Sequence, residues 1–497
     1  MNRPAVALGE LLSGVGIEAG VHAGLTVTQV TDDSRQVREG ALFVAVGGTK
    51  TDGHRFIEQA AAKGARAVLV DREAQAPGGM VVIRVPATQP LLGPVASSFY
   101  GNPSDKMAVV GVTGTNGKTT VSWLTRYLLE AAGVHCGLIG TIHYQIGPVM
   151  KESVNTTPGA VTIQSMLYEM LQAGLKACVM EVSSHALHQR RTDGISWKAG
   201  VFTNITSEHL DYHETWEDYF KAKLRLFEAL EPQAAAVING DDPVWERIRW
   251  VTRGRVIRYS LRQEADLAAS KIVCRLDGTT CEVQTPEGSF PVRWKLVGRH
   301  NIQNLLASLG AVMGTGTPLS KVIPAVESFS GVPGRLERVD EGGPFPVFVD
   351  YAHTDDALFQ VLANVKAVTP KKVLLVFGCG GDRDRTKRPR MGKVASELAD
   401  RVIVTSDNPR SEDPARIAKE IEQGLWGSST PWETILDRRE AIRKAIESAD
   451  AGWLVLIAGK GHETGQKIGD KVIPFDDRHV ARDILKKSKL SGVGSNA

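Results

Sequence analysis

At 497 residues the chain is longer than one hydrophobic core usually serves, and roughly three domains are expected. Hydrophobic residues make up 42% and charged residues 23%, with 50 glycines, a profile that excludes a disordered or fibrous chain and suits a turn-rich α/β enzyme. A net charge of +3 without a clustered basic stripe argues against a nucleic-acid partner, and five cysteines without a Cys-x-x-Cys pair argue against a disulfide framework or structural zinc. No stretch approaches the ~20 apolar residues of a membrane span, and residues 1–10 lack a signal-like apolar segment, so a cytoplasmic protein that engages no membrane is expected.

Residues 1–104 alternate strand-like runs at 25–30, 42–46, 67–70 and 81–85 with helix-like stretches at 55–63 and 91–100, which predicts a small α/β domain. Two of its loops, around Asp32 and Ser34 and around Thr49, Lys50 and Thr51, carry groups able to hold a polar ligand. Taken alone they read first as ordinary turns.

From residue 105 the pattern becomes a regular alternation of strand and helix, which implies a parallel sheet with strands at 108–113, 177–181, 199–204 and 235–239. The first strand breaks into Gly114-Thr115-Asn116-Gly117-Lys118-Thr119-Thr120 and then a helix. This is the order of a phosphate-binding loop. Glycines turn backbone N–H groups toward an anion, Lys118 adds a point charge, and Thr119 offers a hydroxyl to magnesium. Five residues separate Gly111 from Gly117 where the common pattern has four, so a generic ATPase fits less well. A ligand-free glycine turn is the bland alternative. Ligands of open α/β sheets sit at the carboxyl ends of the strands, which places Glu181 and the stretch from Thr206 to His213 beside the loop. Glu181 and His209 are candidate magnesium ligands, although histidine is an unusual partner for so hard a cation and can simply be hydrogen-bonded.

Residues 215–230 predict a helix opened by a Thr215-x-x-Asp218 capping box. At roughly 100° per residue, Trp216, Phe220, Phe227 and Leu230 form one stripe; Lys223 falls inside it, while Lys221 and Arg225 point away. Burial lowers an amine's pKa. A neutral amine can add carbon dioxide, and the carbamate of Lys223 would be a carboxylate-like magnesium ligand. Alternatively the side chain snorkels along the stripe to water.

Residues 253–297 read as a strand-rich insertion with a hairpin turn at Asp277-Gly278. A helix follows, near whose start Asn301 is either a cap or a base-contacting residue. Glycine and proline at 331–334 mark the next boundary. Beyond it, buried strands at 347–350, 373–377, 402–405 and 454–458 predict a second open α/β sheet, each ending in polar residues that together suit a zwitterion. The basic run 383–390 reads as a local anion site.

Taken together, the 114–120 loop, Glu181 to His185, His209 to His213 with Lys223, Gly298 to Asn301, and Tyr351-Ala352-His353 resemble the Mur ligase family over nearly the whole chain. The resemblance implies three α/β domains: residues 1–104 for a UDP-sugar, a central P-loop-type parallel-sheet domain at 105–332 for ATP, and a Rossmann-like domain at 333–497 for an amino acid. Asn155-Thr156-Thr157-Pro158 and Asp407-Asn408-Pro409-Arg410 are similar to the members that add meso-diaminopimelate to UDP-N-acetylmuramoyl-L-alanyl-D-glutamate. By the same resemblance Lys223 is the carbamylated lysine, and with Thr119, Glu181 and His209 it holds Mg2+. Asp32, Ser34, Thr49, Lys50, Thr51, Asn155, Thr156, Thr157, Ser183, Gln189 and Arg191 line the UDP-substrate. Asn301, Arg335 and Asp350 join the loop at ATP. Arg388, Asp407, Asn408, Pro409, Arg410, Gly459 and Glu463 receive diaminopimelate, whose second carboxylate pairs with the Arg410 fork where lysine would leave that charge unmatched. The protein is expected to be a monomer. Sister ligases adding L-lysine, folylpolyglutamate or cyanophycin synthetases, and a nucleotide-binding regulatory protein without turnover are the alternatives. Two residues depart from the family pattern: Asp355, where proline is usual and where the next helix start is expected to loosen, and Glu208 before His209.

Overall fold

The computed structural model describes residues 5–48, 51–206, 208–340 and 343–493. They form a three-domain α/β fold whose backbone gathers into two compact units, Met1–Leu267 with Ala307–Val322, and Ala268–Leu306 with Ile323–Ala497.

The first unit contains two sheets. The smaller runs Gln29–Thr31, Ala41–Val44, Ala65–Val70, Val81–Arg84, all parallel. Alternation along Ala41–Val44 sends Leu42 and Val44 into a core with Leu8, Leu12 and Phe99, and Phe43 into another with Ile57 and Val68. The expected strand at 25–30 divides: Thr26–Val27 pairs instead with Val6–Ala7.

The larger sheet has, in spatial order within this unit, Val149–Glu152, His143–Ile146, Cys136–Ile139, Ala177–Glu181, Ala108–Thr113, Trp197–Phe202, Ala235–Asn239 and Arg255–Ser260. The first two are an antiparallel hairpin and the remainder are parallel. Glu181 stands opposite Val112 and Phe202 opposite Thr113, so both flanking strands end level with the start of the phosphate loop. Ala108–Thr113 is where the chain's strand order turns from one side to the other, the usual place for a ligand crevice. At Gly111 a Cβ would lie 2.7 Å from the Trp197 ring and 3.1 Å from Leu226; the missing side chain lets the helix Trp216–Glu228 pack flat on the strand.

In the second unit Leu267–Arg275, Gly278–Thr285 and Gly288–Trp294 form an antiparallel meander, the first turn falling at Leu276 and Asp277. The other sheet runs Glu337–Arg338, Val347–Asp350, Trp453–Ala458, Lys372–Phe377, Arg401–Val404 and Trp432–Thr434, parallel except for its first pair. Helices cover both faces, as the two cores around Phe348, Leu375 and Val402 and around Val349, Val376 and Ile403 require. Asp355 opens the helix Asp355–Val368 without loosening it: Thr354 caps Ala357 N at 3.2 Å, and the acidic residue suits the helix's positive end. Among the described residues no helix is long and apolar enough to cross a membrane, and Cys136, Cys178, Cys274, Cys281 and Cys379 are all unbridged.

Candidate active site

In the first unit the loop after Ala108–Thr113 turns at Gly114 and Gly117, with φ of 144° and 87°, values that side chains rarely adopt. A Cβ on Gly114 would lie 1.9 Å from Thr203 Oγ1. The loop is stitched to the end of the neighbouring strand: Thr115 N donates to Asn204 O at 2.8 Å, Asn116 N to Asn204 Oδ1 at 2.9 Å, and Thr203 Oγ1 to Asn116 O at 2.6 Å. Lys118 opens the following helix and donates back to the carbonyls of Gly114 and Thr115 at 2.9 and 2.8 Å.

Glu181, fully buried, accepts from Thr119 Oγ1, Thr141 N and Thr141 Oγ1, each at 2.9 Å. Thr141 had no sequence signal because it follows Cys136–Ile139, a strand too short to stand out from its surroundings. Threonine hydroxyls around a carboxylate are the hard oxygen donors magnesium takes. Among the described residues no three His, Cys, Asp or Glu side chains gather as a metal cage.

Lys223 is 2% exposed. Its Nζ donates to Gly114 O at 2.8 Å and stands 4.5 Å from the centre of the Tyr219 ring, so the side chain does not snorkel to water but ends at the phosphate loop. Burial, reinforced by nearby Lys118 and opposed by Glu208, holds its pKa well below that of an ordinary lysine. The capping box is present, Thr215 Oγ1 accepting from Asp218 N at 3.1 Å. Arg225, off the apolar stripe, donates to the carbonyls of Leu187 and His188 at 3.0 and 3.1 Å. Tyr219, which carries no signal in the sequence, meets Thr115 Oγ1 at 3.0 Å. His209 sits at φ 57° with its ring 4.7 Å from His185 and its Nε2 3.8 Å from Glu208. It belongs to a cluster of aromatic rings with Tyr212, His213 and Tyr219, in which burial and neighbouring histidines bring the His213 pKa down to about 4.

A continuous polar wall runs away from Glu181. Thr156 meets Thr141 at 3.0 Å, Asn155 O accepts from Tyr144 OH at 2.6 Å, and Thr157 Oγ1 donates to Glu181 O at 2.8 Å while accepting from Ser183 N at 3.0 Å. Arg191 donates to Thr157 O at 2.8 Å and twice to Gln189 Oε1, at 3.0 and 2.6 Å. Burial raises the pKa of Asp32, with Arg191 close enough to oppose the shift, so the wall reaches the small N-terminal sheet. There Ser34 Oγ donates to Gln59 Oε1 at 2.7 Å and Thr51 O accepts from Gly48 N at 2.9 Å. Thr49 and Lys50 lie outside the described residues.

In the second unit, buried Asn301 is not a cap: it lies inside the helix Arg299–Thr315, donating to Val297 O at 2.8 Å and accepting from Asn304 at 3.1 Å. Asp350 accepts from Leu336 N at 2.6 Å and Ala352 N at 2.8 Å; burial raises its pKa against the pull of Arg335 and His300. The Arg335 guanidinium lies 4.6 Å over the Tyr351 ring. At the same edge of the sheet Asp407 accepts from Asn408 N at 2.6 Å, Asn408 Nδ2 donates to Glu463 at 2.8 Å, and a Cβ on Gly459 would lie 2.6 Å from Asp407 Oδ2. Pro409 leads into Arg410, which adopts φ 52° and gives one guanidinium nitrogen to Gly381 O at 2.7 Å.

Arg388 is fully buried: its guanidinium takes Glu412 with both prongs at 2.9 and 2.8 Å, Glu420 at 2.7 Å and Gly380 O at 3.2 Å, which shapes the loop after Phe377, while its Nε has no hydrogen-bond partner. In the basic run Arg385 pairs with Glu420 and Arg390 with Asp355. Two buried cations went unnoticed in the sequence. Lys460 lies between Asn408 and Glu463, and Arg438, paired with Asp477 at 2.7 Å, donates to Ala458 O at 2.9 Å and Ser406 O at 3.3 Å, tying together the ends that carry Gly459 and Asp407.

Comparison with known proteins places this geometry. The Mur ligase family catalytic domain matches residues 26–100, the Mur ligase middle domain residues 112–312, and the Mur ligase glutamate ligase domain residues 334–461. The UDP-N-acetylmuramoyl-L-alanyl-D-glutamate–2,6-diaminopimelate ligase of Bacillus licheniformis is 42% identical over 469 residues, covering 93% of this chain and 95% of the relative. That of Geobacillus thermodenitrificans is 44% identical over 463 residues, covering 92% and 94%. A solved structure of a ligase of the same name superposes with a TM-score of 0.72 at 34% identity, covering 98% of this chain and 99% of that one. The MurF ligase of Thermotoga maritima, solved with ADP, shares the fold at 21% identity and a TM-score of 0.61 over 94% and 98%.

Proposed function

The chain belongs to the Mur ligase family, and we propose that it is the ATP-dependent ligase that joins meso-diaminopimelate to UDP-N-acetylmuramoyl-L-alanyl-D-glutamate in cytoplasmic peptidoglycan-precursor synthesis. The observation that carries this reading is identity of 42% and 44%, over 93% and 92% of this chain, with relatives named for that reaction. Residues 1–104 would take the UDP-sugar, 105–332 the ATP and 333–497 the amino acid.

ATP phosphates would lie against the N-terminus of the helix that Lys118 opens after the glycine loop, with Lys118 adding charge. A carbamate on Lys223 forms when its neutral amine adds CO2 and releases a proton, and the depressed amine pKa favours it. Thr119, Glu181, His209 and that carbamate would hold magnesium, which would neutralise phosphate charge. The wall from Asn155, Thr156 and Thr157 through Ser183, Gln189 and Arg191 to Asp32 and Ser34 orients the peptide and sugar. The D-glutamate γ-carboxylate displaces ADP from the γ-phosphorus, giving an acyl phosphate. The diaminopimelate amine then attacks the acyl carbon, forms the amide, loses its proton, and phosphate leaves. Positioning and charge neutralisation are what such a transfer asks of the protein. Asn301, Arg335 and Asp350 contribute to nucleotide binding. Arg410 keeps guanidinium nitrogens beyond the one bonded to Gly381 O, and its fork selects the second carboxylate of diaminopimelate.

The test is phosphate release from ATP in the presence of each substrate alone and together. Release is expected only with the UDP-precursor and meso-diaminopimelate both present, and to fall strongly when L-lysine replaces the latter. Equal turnover with lysine, or release independent of the amino acid, would sink this reading.

A further inference from the structure

Lys460 has no exposed surface, yet it occupies the loop that follows Trp453–Ala458, in which His462 and Glu463 are half-buried and Thr464 is exposed. Its Nζ is surrounded by three oxygens: Asn408 Oδ1 at 3.1 Å, Glu463 Oε2 at 2.8 Å and Gly465 O at 2.7 Å. An ammonium has three N–H donors and no acceptor, so the environment matches it completely. Buried ion pairs seldom add stability over an apolar pair of the same volume. What this one adds is orientation.

The Asn408 amide shows how. Its Oδ1 receives both Lys460 and Lys467 N, the latter at 2.9 Å, which forces Nδ2 toward Glu463 Oε2 at 2.8 Å. Glu463 Oε2 is thereby gripped from two sides. Among the described residues no hydrogen bond uses Glu463 Oε1, and the side chain keeps 30% of its surface exposed. One carboxylate oxygen is immobilised and the other presented.

We infer that Lys460 is a positioning residue for the amino-acid site: it locks the amide of Asn408 and the carboxylate of Glu463, so that Glu463 offers one prearranged oxygen to a cationic group of the incoming amino acid. This rests on the proposed function, because it assigns Glu463 to the diaminopimelate site. An unlocked Glu463 would have to be ordered by each arriving substrate, a cost that falls on binding of that substrate alone.

The experiment is a double-mutant cycle on the full chain with Lys460→Met, which keeps the side-chain length and removes charge and donors, and Glu463→Gln. The KM for meso-diaminopimelate should rise ~30-fold or more in Lys460→Met, while kcat and the KM values for ATP and the UDP-precursor stay within about threefold. Added to Glu463→Gln, the lysine change should raise KM little further, since both act through one carboxylate. A uniform loss for all three substrates, an unchanged diaminopimelate KM, or multiplicative losses in the double variant would overturn the inference. If thermal melting shows Lys460→Met unfolded, Asn408→Asp carries the test, because it turns a carboxylate oxygen toward Glu463 and should give the same selective KM rise; an unchanged KM there overturns the inference as well. Wild-type protein that does not turn over diaminopimelate would overturn the functional reading itself, a result distinct from any of these.

Discussion

Replacing Lys223 tests the phosphate site most directly. In Lys223→Ala the Gly114 carbonyl loses the donor at 2.8 Å and the space beside Tyr219 is left open. Gly114 O keeps Lys118 as a donor at 2.9 Å, but loss of a buried stem costs about 2 kcal/mol or more, so a lower Tm is expected. Lys223→Met keeps the stem and should melt near the wild type. Both variants should lose activity on the order of 10²–10³-fold, the scale of removing one preorganised charge-stabilising group. The comparison therefore separates folding from chemistry. Formate or acetate, which fit the vacated space in Lys223→Ala and carry a carboxylate, should restore part of the phosphate release, whereas bicarbonate should not, because no amine remains to be carboxylated. The wild type should also gain stability with rising pH on the acid side of the ordinary lysine pKa: the folded amine titrates lower, so in that interval the unfolded chain binds more protons. Lys223→Met should lack this slope. Full activity in Lys223→Met, or rescue by bicarbonate, would refute the reasoning.

Three other outcomes follow from the same geometry. Arg410→Lys keeps the charge but not the fork, and should raise the diaminopimelate KM on the order of 10²-fold while narrowing the preference over L-lysine, read from competing-substrate kinetics. Gly114→Ala places a Cβ 1.9 Å from Thr203 Oγ1 at φ 144°; titration calorimetry should detect no nucleotide binding, and wild-type affinity would contradict the loop assignment. Arg388 brings the Glu412 pKa down to about 2 from an ordinary 4.5, so the stability this pair contributes is present above about 4.5 and lost as pH falls toward about 2. Acid melts of Glu412→Gln should lack that part of the slope.

Much of this architecture was legible in the amino-acid order. Three strands of the larger sheet, Ala108–Thr113, Ala177–Glu181 and Ala235–Asn239, have the bounds that apolar runs ended by polar residues imply, because a strand buried on both faces needs little beyond such a run. Lys223 was conspicuous for a local reason too: helical periodicity alone puts it among Phe220 and Phe227. Cys136–Ile139 and the hairpin from His143 to Glu152 were not legible. The first is four residues long, and the exposed strand Val149–Glu152 has no apolar alternation.

What the order of residues determined by itself was thus each element and the chemistry at its end: a phosphate loop, an ill-placed lysine, four polar strand termini. Partnership was decided only in three dimensions. Thr141 with Glu181, Tyr219 with Thr115, Arg438 with Asp477 and Lys460 with Asn408 join residues from 39 to 104 positions apart. No local propensity encodes them, because they arise from which strands become neighbours. The same holds for the arginines around Arg388: in sequence every guanidinium is equally available, and only packing against Glu412 and Glu420 settles that Arg388 is committed inside while Arg410 retains capacity for a ligand.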